Sequence, residues 1–234
     1  MKRSFDIVLS AISLTIIFPI IILLAVIIWL QDFKNPFYIP RRVGENGKIF
    51  KMVKFRSMIV DAELSGINST SLEDHRITPI GRILRAYKLD EVTQLFNILT
   101  GSMSFVGPRP NVQDEVKLYT QTEMKLFSVK PGVTDFSSIV FSDEAEILSG
   151  KEDPNLSYNQ LIRPWKSRLG IIYIENQSLW LDFQLIFYTF VSLISKERAV
   201  NWIVNKLNQF SVDEEVIKVA SRKHKLIPSD PYEL

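Results

Sequence analysis

The sequence contains one long apolar run without a charged residue, residues 7–30, close to its amino terminus. The run is interrupted only by Ser10, Ser13, Thr15 and Pro19. As an α-helix it would be about 36 Å long, enough to fill a bilayer core of about 30 Å. A signal peptide would have a shorter apolar core and a small-residue cleavage site, and a buried core helix would keep one polar face. We therefore predict that residues 1–33 are embedded in a membrane.

Basic residues flank the apolar run on both sides. Lys2 and Arg3 precede it, and Lys34 begins a further basic group after it. Because Lys and Arg are retained on the cytoplasmic side, both ends of the run are expected there. Pro19 lies at the midpoint, where it removes a backbone donor and can act as the hinge of a bend. We predict a re-entrant helical hairpin bent at Phe18-Pro19; a kinked helix that crosses the bilayer is the alternative that the sequence leaves open.

Composition excludes several classes of site and partner. The chain carries 28 Lys+Arg against 26 Asp+Glu, so a nucleic-acid partner is not expected. The absence of cysteine excludes disulfides, thiol catalysis and cysteine-based zinc sites, and two histidines leave little for a histidine metal cluster. Residues 34–109 nevertheless contain 12 basic against 7 acidic side chains. Such a segment suits anionic lipid headgroups or a phosphorylated substrate, although an ordinary solvated face can have the same composition.

The rest of the sequence predicts helices and one small β-hairpin. Apolar and basic residues alternate around Gly44-Glu45-Asn46-Gly47, which predicts a hairpin over residues 38–58. Helices are expected over residues 80–100, in one or two pieces ending at Gly101, and over residues 111–128. Residues 183–194 form either core or an interfacial helix, because they are apolar but too short to span a membrane. The predicted fold class is α+β and helix-dominated, with a catalytic domain at residues 34–195 and a tail of unknown role at 196–234.

A polar stripe on the helix predicted around residue 90 is a candidate site. Asp90, Thr93, Gln94 and Asn97 share one face by their spacing, and an apolar stripe that should face the core lies beside them, formed by Leu89, Val92, Phe96 and Leu99. In a first helical turn the dipole would favour ionised Asp90, which could act as a nucleophile or ligate a hard cation. Glu91 points about 100° away, so the two carboxylates are not an obvious facing acid/base pair. A helix start without function is the simpler reading of these residues alone.

Several cations surround this stripe in the sequence. Arg109 lies between two prolines, and a fixed guanidinium loses less freedom when it binds phosphate. The other candidate phosphate ligands are Lys54 and Arg56 on the hairpin and Arg85 on the preceding helix. Together with the membrane segment and a placed carboxylate, they indicate phosphate chemistry at a bilayer surface.

At these residues the sequence resembles the bacterial sugar transferases, the monotopic phosphoglycosyl transferases. The resemblance covers about residues 2–195. The matching motifs are Arg42-Val43-Gly44-x-x-Gly47-x-x-Phe50, Lys54-Phe55-Arg56-Ser57-Met58, Arg76-Ile77-Thr78-x-Ile80-Gly81-Arg82, Leu89-Asp90-Glu91-x-x-Gln94-Leu95-x-Asn97, Gly101-x-Met103-Ser104-x-Val106-Gly107-Pro108-Arg109-Pro110, Lys130-Pro131-Gly132-Val133-Thr134, Tyr173-Ile174-Glu175-Asn176 and Ser178-Leu179-Trp180-Leu181-Asp182.

The resemblance implies a monotopic protein of the bacterial inner membrane with its catalytic domain on the cytoplasmic face. It implies transfer of a phosphosugar from a UDP-sugar to undecaprenyl phosphate with release of UMP, at the start of capsule, exopolysaccharide, O-antigen or glycoprotein glycan assembly. Asp90 would be the nucleophile of a covalent intermediate and a ligand of Mg²⁺, with Glu91 as its catalytic partner. Lys54, Arg56, Arg85 and Arg109 would bind phosphate, and Pro19 would be the membrane hinge. A second copy of the chain or downstream glycosyltransferases are further candidate partners.

One segment departs from the family pattern. After Thr134, residues 135–144 are acidic where many relatives carry a basic residue, which leaves the identity of the sugar open. A catalytically inactive membrane scaffold for glycan assembly and a lipid diphosphate hydrolase are the alternatives to a transferase.

Overall fold

The structure, a computed structural model, describes residues 1–62, 71 and 73–232. The strands are β1 (Phe37–Tyr38), β2 (Arg41–Val43), β3 (Ile49–Lys51), β4 (Lys54–Phe55), β5 (Ser104–Val106) and β6 (Gly132–Thr134). The α-helices are α1 (Lys2–Asp32), α2 (Pro79–Ala86), α3 (Leu95–Thr100), α4 (Gln113–Val116), α5 (Phe136–Val140), α6 (Glu144–Ile147), α7 (Pro154–Leu161), α8 (Arg163–Glu175), α9 (Leu179–Ile194), α10 (Lys196–Gln209) and α11 (Glu214–Ala220). The fold class is α+β with helices predominant, as predicted from the sequence.

Helix α1 is long and apolar enough to be a candidate membrane span. Its buried residues follow one stripe, which includes Leu14, Ile21 and Ile28, and this stripe packs against a cluster of α2, α3 and β4 side chains. The opposite face exposes large apolar groups such as Ile16 and Leu23. One face of α1 therefore belongs to the protein core, and the other presents a predominantly apolar surface.

Both ends of α1 are bound to the same folded body. At the amino end, Lys2 Nζ lies 2.7 Å from the Asp182 carboxylate on α9, and Ser104 Oγ donates to the buried Asp6. At the carboxyl end, the Arg56 guanidinium donates two hydrogen bonds, of 2.5 and 2.6 Å, to Asp32. The helix is consequently fastened along its length and does not project from the body.

Helical residues continue through Pro19 without a break, so the structure does not show the two separate arms of the predicted hairpin. The membrane association of α1 accords with its length and composition.

The predicted β-hairpin is confirmed. Strands β2 and β3 pair antiparallel, with Arg42 opposite Phe50, around a turn at Glu45–Gly47. In that turn Gly47 has a φ of 72°, a conformation that glycine adopts without steric cost. Strands β1 and β4 extend the hairpin outward, with Tyr38 opposite Lys54. The pairing fixes Lys54 at the end of the hairpin nearest the candidate site.

The helix predicted over residues 80–100 is present in two pieces. Thr78 caps α2 by accepting the amide of Gly81, and the helix ends before Lys88, whose φ is 55°. A 3-10 turn at Leu89–Gln94 follows and leads directly into α3, which stops at Gly101 with a φ of 93°. The residue in left-handed conformation therefore separates α2 from the turn that carries Asp90.

The single helix predicted over residues 111–128 is wrong. Only α4 and a 3-10 turn at Glu123–Ser128 form there. The amide of Glu123 donates to the Thr120 hydroxyl, and the Thr120 amide donates to the Glu123 carboxylate. This reciprocal capping begins a new helical turn at residue 120 and so interrupts the helix.

Strands β5 and β6 are parallel, so their carboxyl ends meet at one edge. Beyond them, the backbones of Gly107 and Gly132 touch so closely that a Cβ on Gly132 would lie 2.1 Å from the Gly107 nitrogen. The loop that carries Arg109 leaves the sheet at this point.

A second core, the carboxyl-terminal cluster, joins α5, α8 and α9 to the last two helices. Ala199, Ile203 and Leu207 of α10 and Val216 of α11 are buried in it together with Phe136. Packing is therefore continuous across residue 195. Helix α9 buries Leu181 and Leu185 but exposes aromatic side chains such as Phe187 and Phe190 on its other face.

We expect Gly132→Ala to destabilise the protein strongly, because the added methyl group would overlap the backbone of Gly107. The melting temperature in detergent should fall by roughly 6–12 °C, the shift for a loss of about 3 kcal/mol. Gly150→Ala is the matched control, since its φ is 68° but nothing lies within 4 Å of the added Cβ; it should cost only about 1 kcal/mol. Equal melting temperatures for the two variants would contradict the close contact.

Candidate functional site

The two candidate carboxylates lie side by side on the 3-10 turn but have different partners. Glu91 Oε1 accepts from Lys54 Nζ at 2.8 Å and from Arg109 Nη2 at 2.5 Å. Asp90 is 8% exposed and its carboxylate makes no hydrogen bond within the described ranges. Glu91 is therefore paired with two cations, whereas the Asp90 carboxylate is largely buried but has no protein partner, in the described part of the chain, that a ligand would have to displace.

The polar stripe predicted around Asp90 faces inward. Thr93 Oγ1 donates to the Val53 carbonyl at 3.0 Å. The Asn97 amide donates to the Lys51 carbonyl at 2.7 Å and accepts from the Val53 amide at 2.8 Å. These bonds fasten the 3-10 turn and α3 to the loop between β3 and β4, and thereby set the position of Lys54 relative to Glu91.

The predicted apolar stripe packs against the core, but the polar stripe is the more deeply buried of the two. The polar stripe is buried, whereas Leu89, Val92 and Phe96 are only half-buried and pack at the edge of the core cluster that contains Leu84 and Leu95. The more polar face turns inward because backbone groups such as the Val53 carbonyl and amide need partners there.

The electrostatics of the pair differ from the sequence-based expectation. Burial raises the pKa of Asp90, and the neighbouring Glu91 charge raises it further; Lys54, Arg85 and Arg109 act in the opposite direction. The expected dipole effect does not decide the outcome, because the carboxylate is desolvated on a short 3-10 turn. Burial would also raise the pKa of Glu91, but Arg109 and Lys54 hold it well below its usual range.

The loop after β5 positions Arg109 beside this pair. Its guanidinium forms two hydrogen bonds to Glu91, and the Glu91 charge raises the Arg109 pKa. Its side chain is 38% exposed, so one edge of the guanidinium remains accessible to an anion. The two flanking prolines hold the backbone of the loop in place.

The structure brings Lys54, Arg85 and Arg109 together around Asp90, but not Arg56. Arg85 lies in the last turn of α2, forms no hydrogen bond through its side chain among the described residues, and lowers the pKa of Asp90 through its charge. Arg56 is 8% exposed and its guanidinium is directed to Asp32 at the end of α1. In this arrangement Arg56 fastens the membrane helix.

Further charged side chains that the sequence did not indicate belong to the same region. Lys88 immediately precedes the 3-10 turn; burial lowers its pKa, and it is electrostatically coupled to Glu91, Arg109 and Lys166. Lys166 on α8 forms an ion pair with Glu144 at the start of α6. The left-handed conformation at Lys88 had no local signal, and Lys166 and Glu144 are 22 residues apart, so only the tertiary structure brings them to the site.

The oxygen ligands present fit a Mg²⁺ ion that is completed by a substrate. Within the described part of the chain no group of three or more His, Cys, Asp or Glu side chains could hold a metal by itself. Mg²⁺ is commonly held by one or two carboxylates together with substrate phosphates and water. The unpartnered carboxylate of Asp90 supplies such a ligand, and the surrounding cations suit the phosphates that would accompany it.

The arrangement as a whole can bind a polyanion and present a carboxylate to it. Lys54, Arg85, Lys88 and Arg109 supply positive charge on one side of Asp90. A carboxylate in such surroundings can attack an electrophilic phosphorus whose negative charge the cations offset.

Comparison with known proteins gives a consistent assignment. The family model described as "Bacterial sugar transferase" matches residues 1–196. The exopolysaccharide production protein ExoY of Rhizobium meliloti is 34% identical over 203 residues, which are 80% of this chain and 83% of that protein. The undecaprenyl-phosphate galactose phosphotransferase of Salmonella typhimurium is 33% identical over 217 residues, 85% of this chain but 41% of that protein.

A third relative, the UDP-glucose:undecaprenyl-phosphate glucose-1-phosphate transferase of Klebsiella pneumoniae, is 33% identical over 200 residues, 83% of this chain and 40% of that protein. The Asp90–Glu91 turn and the Arg109 loop both lie inside the matched region. This chain belongs to the bacterial sugar transferase family.

Proposed function

We propose that this chain transfers a phosphosugar from a UDP-sugar to undecaprenyl phosphate and releases UMP, as the first step of an exopolysaccharide or related glycan. The observation that carries the proposal is the buried, unpartnered carboxylate of Asp90 next to a Glu91 that is saturated by Lys54 and Arg109. Relatives of this chain are named for sugar-phosphate transfer to undecaprenyl phosphate. The names of those relatives differ in the sugar, so the sugar used here is left to a donor panel.

The chemistry divides into two displacements at one phosphorus. Asp90 attacks the phosphorus that bears the sugar, a new P–O bond to its carboxylate forms, and the bond to the UMP oxygen breaks. A phosphate oxygen of the lipid then attacks the same phosphorus and expels the Asp90 carboxylate, which leaves a sugar diphosphate lipid. Such a covalent intermediate lets the water-soluble donor and the lipid acceptor use one site in turn.

The residues around Asp90 have distinct tasks in this scheme. Arg109 and Lys54 offset the charge of the pyrophosphate, and Glu91 holds both of them in place through its two oxygens. Arg85, which forms no ion pair among the residues described, is available to bind the donor directly. Mg²⁺, held by Asp90 together with the donor phosphates, would supply further neutralisation of the developing charge.

The membrane arrangement follows from the contacts of α1. Lys2 is bound to Asp182, and Asp32 is bound to Arg56, so both ends of the helix are attached to the same folded domain. We infer that the helix enters the bilayer without crossing it and that basic flanks hold the catalytic body on the cytoplasmic face of the inner membrane. The lipid phosphate then lies at the level of the site, and the exposed aromatic face of α9 is placed at the membrane interface.

Asp90→Asn should reduce UMP release by about 10³-fold or more, because an amide cannot act as the nucleophile. The measurement is UMP release from a panel of UDP-sugars with Mg²⁺ and undecaprenyl phosphate. With the lipid withheld, intact-protein mass spectrometry should detect a phosphosugar adduct on the wild type but not on the variant. Asp114→Asn is the control, since Asp114 is exposed on α4. Equal UMP release by wild type and Asp90→Asn would exclude Asp90 as the nucleophile.

The pH dependence of kcat/KM should respond to Arg85. Asp90 attacks only when ionised, so activity rises with pH through its raised pKa. Arg85→Met removes a charge that lowers this pKa; the acid limb of the profile should therefore move to higher pH. Arg82→Met, an exposed position on the same helix, should leave the limb unchanged. A limb at the same pH in all three proteins would contradict the electrostatic role of Arg85.

The topology of α1 can be tested with single cysteines, because the chain has none. Ser4→Cys and Lys34→Cys are exposed positions at the two ends of the apolar run. A membrane-impermeant maleimide should label both in inverted vesicles and neither in intact spheroplasts. Labelling of the two positions from opposite sides would show that the helix crosses the membrane.

A further inference from the structure

A second polar cluster lies beside the candidate site and is not used by the transfer chemistry proposed above. Its centre is Lys166 on α8, which forms an ion pair with Glu144 and lies 5.3 Å above the ring of Tyr158. Glu115 on α4 is electrostatically coupled to Lys166 and Glu144. These residues come from four separate helices, so the cluster is a feature of the tertiary structure.

The backbone packing places this cluster next to Arg109. A Cβ on Gly170 of α8 would lie 3.6 Å from the ring of Pro108, the residue before Arg109. Lys166 precedes Gly170 by four residues, so it lies on the same face of α8 and about 6 Å away along the axis. In agreement with this placement, burial would raise the pKa of Glu144, but Lys166, followed by Arg109 and Arg85, holds it below its usual value.

Two members of the cluster have unused hydrogen-bonding capacity. Tyr158 is 7% exposed, and its hydroxyl has no hydrogen-bond partner in the described part of the chain. Burial raises its pKa well above the usual value, and the charges of Glu115 and Glu144 raise it further, so the hydroxyl keeps its proton and can donate a hydrogen bond. The Glu115 carboxylate also lacks a hydrogen-bond partner among the residues described. Both groups can therefore form a hydrogen bond with a polar ligand without breaking one within the protein.

We propose that Glu144, Tyr158 and Glu115 form the subsite that binds the hydroxyl groups of the donor's sugar and thereby selects which sugar is transferred. This inference rests on the proposed function. Carboxylates accept hydrogen bonds from sugar hydroxyls, and the Tyr158 hydroxyl can donate one. The Glu144 and Glu115 carboxylates repel the donor's pyrophosphate, which is expected to bind to Lys54, Arg85 and Arg109. The neutral, hydroxyl-rich sugar can then contact the subsite.

The position of Glu144 gives the unusual segment 135–144 a role. Asp135 caps α5 and Phe136 and Ile139 are fully buried, so the beginning of the segment serves the core. Glu144 at its end is coupled to Arg109 and Arg85 instead. A site that hydrogen-bonds a substrate hydroxyl discriminates strongly against an analogue in which that hydroxyl is missing or displaced.

The experiment compares wild type with Glu144→Gln and Tyr158→Phe in the full-length protein. For the best donor of the UDP-sugar panel and its hydroxyl epimer, kcat/KM is measured by UMP release, and UDP serves as a competing ligand without sugar. Both variants should lose about 10- to 100-fold in kcat/KM for the best donor and discriminate less against the epimer. The inhibition constant of UDP should change by less than about twofold, because UDP has no sugar to contact the subsite. Loss of a hydrogen bond to UDP itself would weaken its binding by more than this. Glu146→Gln, an exposed residue on the same short helix, is the matched control and should behave as wild type.

Two outcomes would overturn the inference. If the variants discriminate between the epimers as the wild type does, these residues do not select the sugar. If binding of UDP and kcat/KM for both donors fall equally, the residues bind the nucleotide or support the structure in general. Titration calorimetry with UDP-sugar and UDP repeats the comparison without turnover. A wild-type protein that binds UDP-sugars but releases no UMP would refute the proposed function and leave the subsite untouched. In that case the affinities of the variants for UDP-sugar and UDP would still test the subsite.

Discussion

The bridge that Glu91 makes between Lys54 and Arg109 is the interaction on which the candidate site depends. It joins the hairpin, the 3-10 turn and the loop after β5, which belong to no common sheet. Glu91 and Lys54 are 13% and 14% exposed, so loss of the carboxylate would leave a largely buried ammonium unpaired, at a cost of about 3 kcal/mol. Because Glu91 occupies both cations, Asp90 stays unpartnered within reach of their charge. Adjacent carboxylates thus acquire opposite pKa shifts and different tasks.

The same hairpin links this site to the membrane helix. Lys54 contacts Glu91, and Arg56, two residues later, is bound to Asp32 at the end of α1. At its other end α1 is fastened through Lys2 to Asp182. In the proposed membrane arrangement, the depth of the helix in the bilayer would therefore determine the height of Asp90 above it. A reaction between a soluble donor and a lipid phosphate requires such a fixed height, since the acceptor phosphate cannot leave the headgroup layer.

Local signals in the sequence predicted the elements, and tertiary contacts decided the rest. The turn at Gly47 and the stop at Gly101 each depend on one residue and its neighbours, so the hairpin and the end of α3 were predictable. Arg56 binds Asp32, which is 24 residues away at the end of the apolar run. The sequence gives no signal for this pair, so it predicted Arg56 as a phosphate ligand although its side chain is directed to α1. Which stripe is buried depends on tertiary contacts, since Thr93 and Asn97 bind the backbone around Val53, about 40 residues away in the sequence. Likewise, Lys88 and Lys166 have no motif of their own.

The two cores support different parts of the proposed function. The α1 side carries the hairpin and the Asp90 turn, while the carboxyl-terminal cluster carries Lys166 and, through Phe136 and Ile139, the base of segment 135–144. The Arg109 loop lies between them, held by the contact of Gly107 with Gly132 and of Pro108 with Gly170. Side chains at the rim of the second core can therefore change without disturbing Asp90, Glu91 or the helix in the membrane. Under the proposed function, this separation would let the preferred sugar change while the transfer chemistry at Asp90 stays the same.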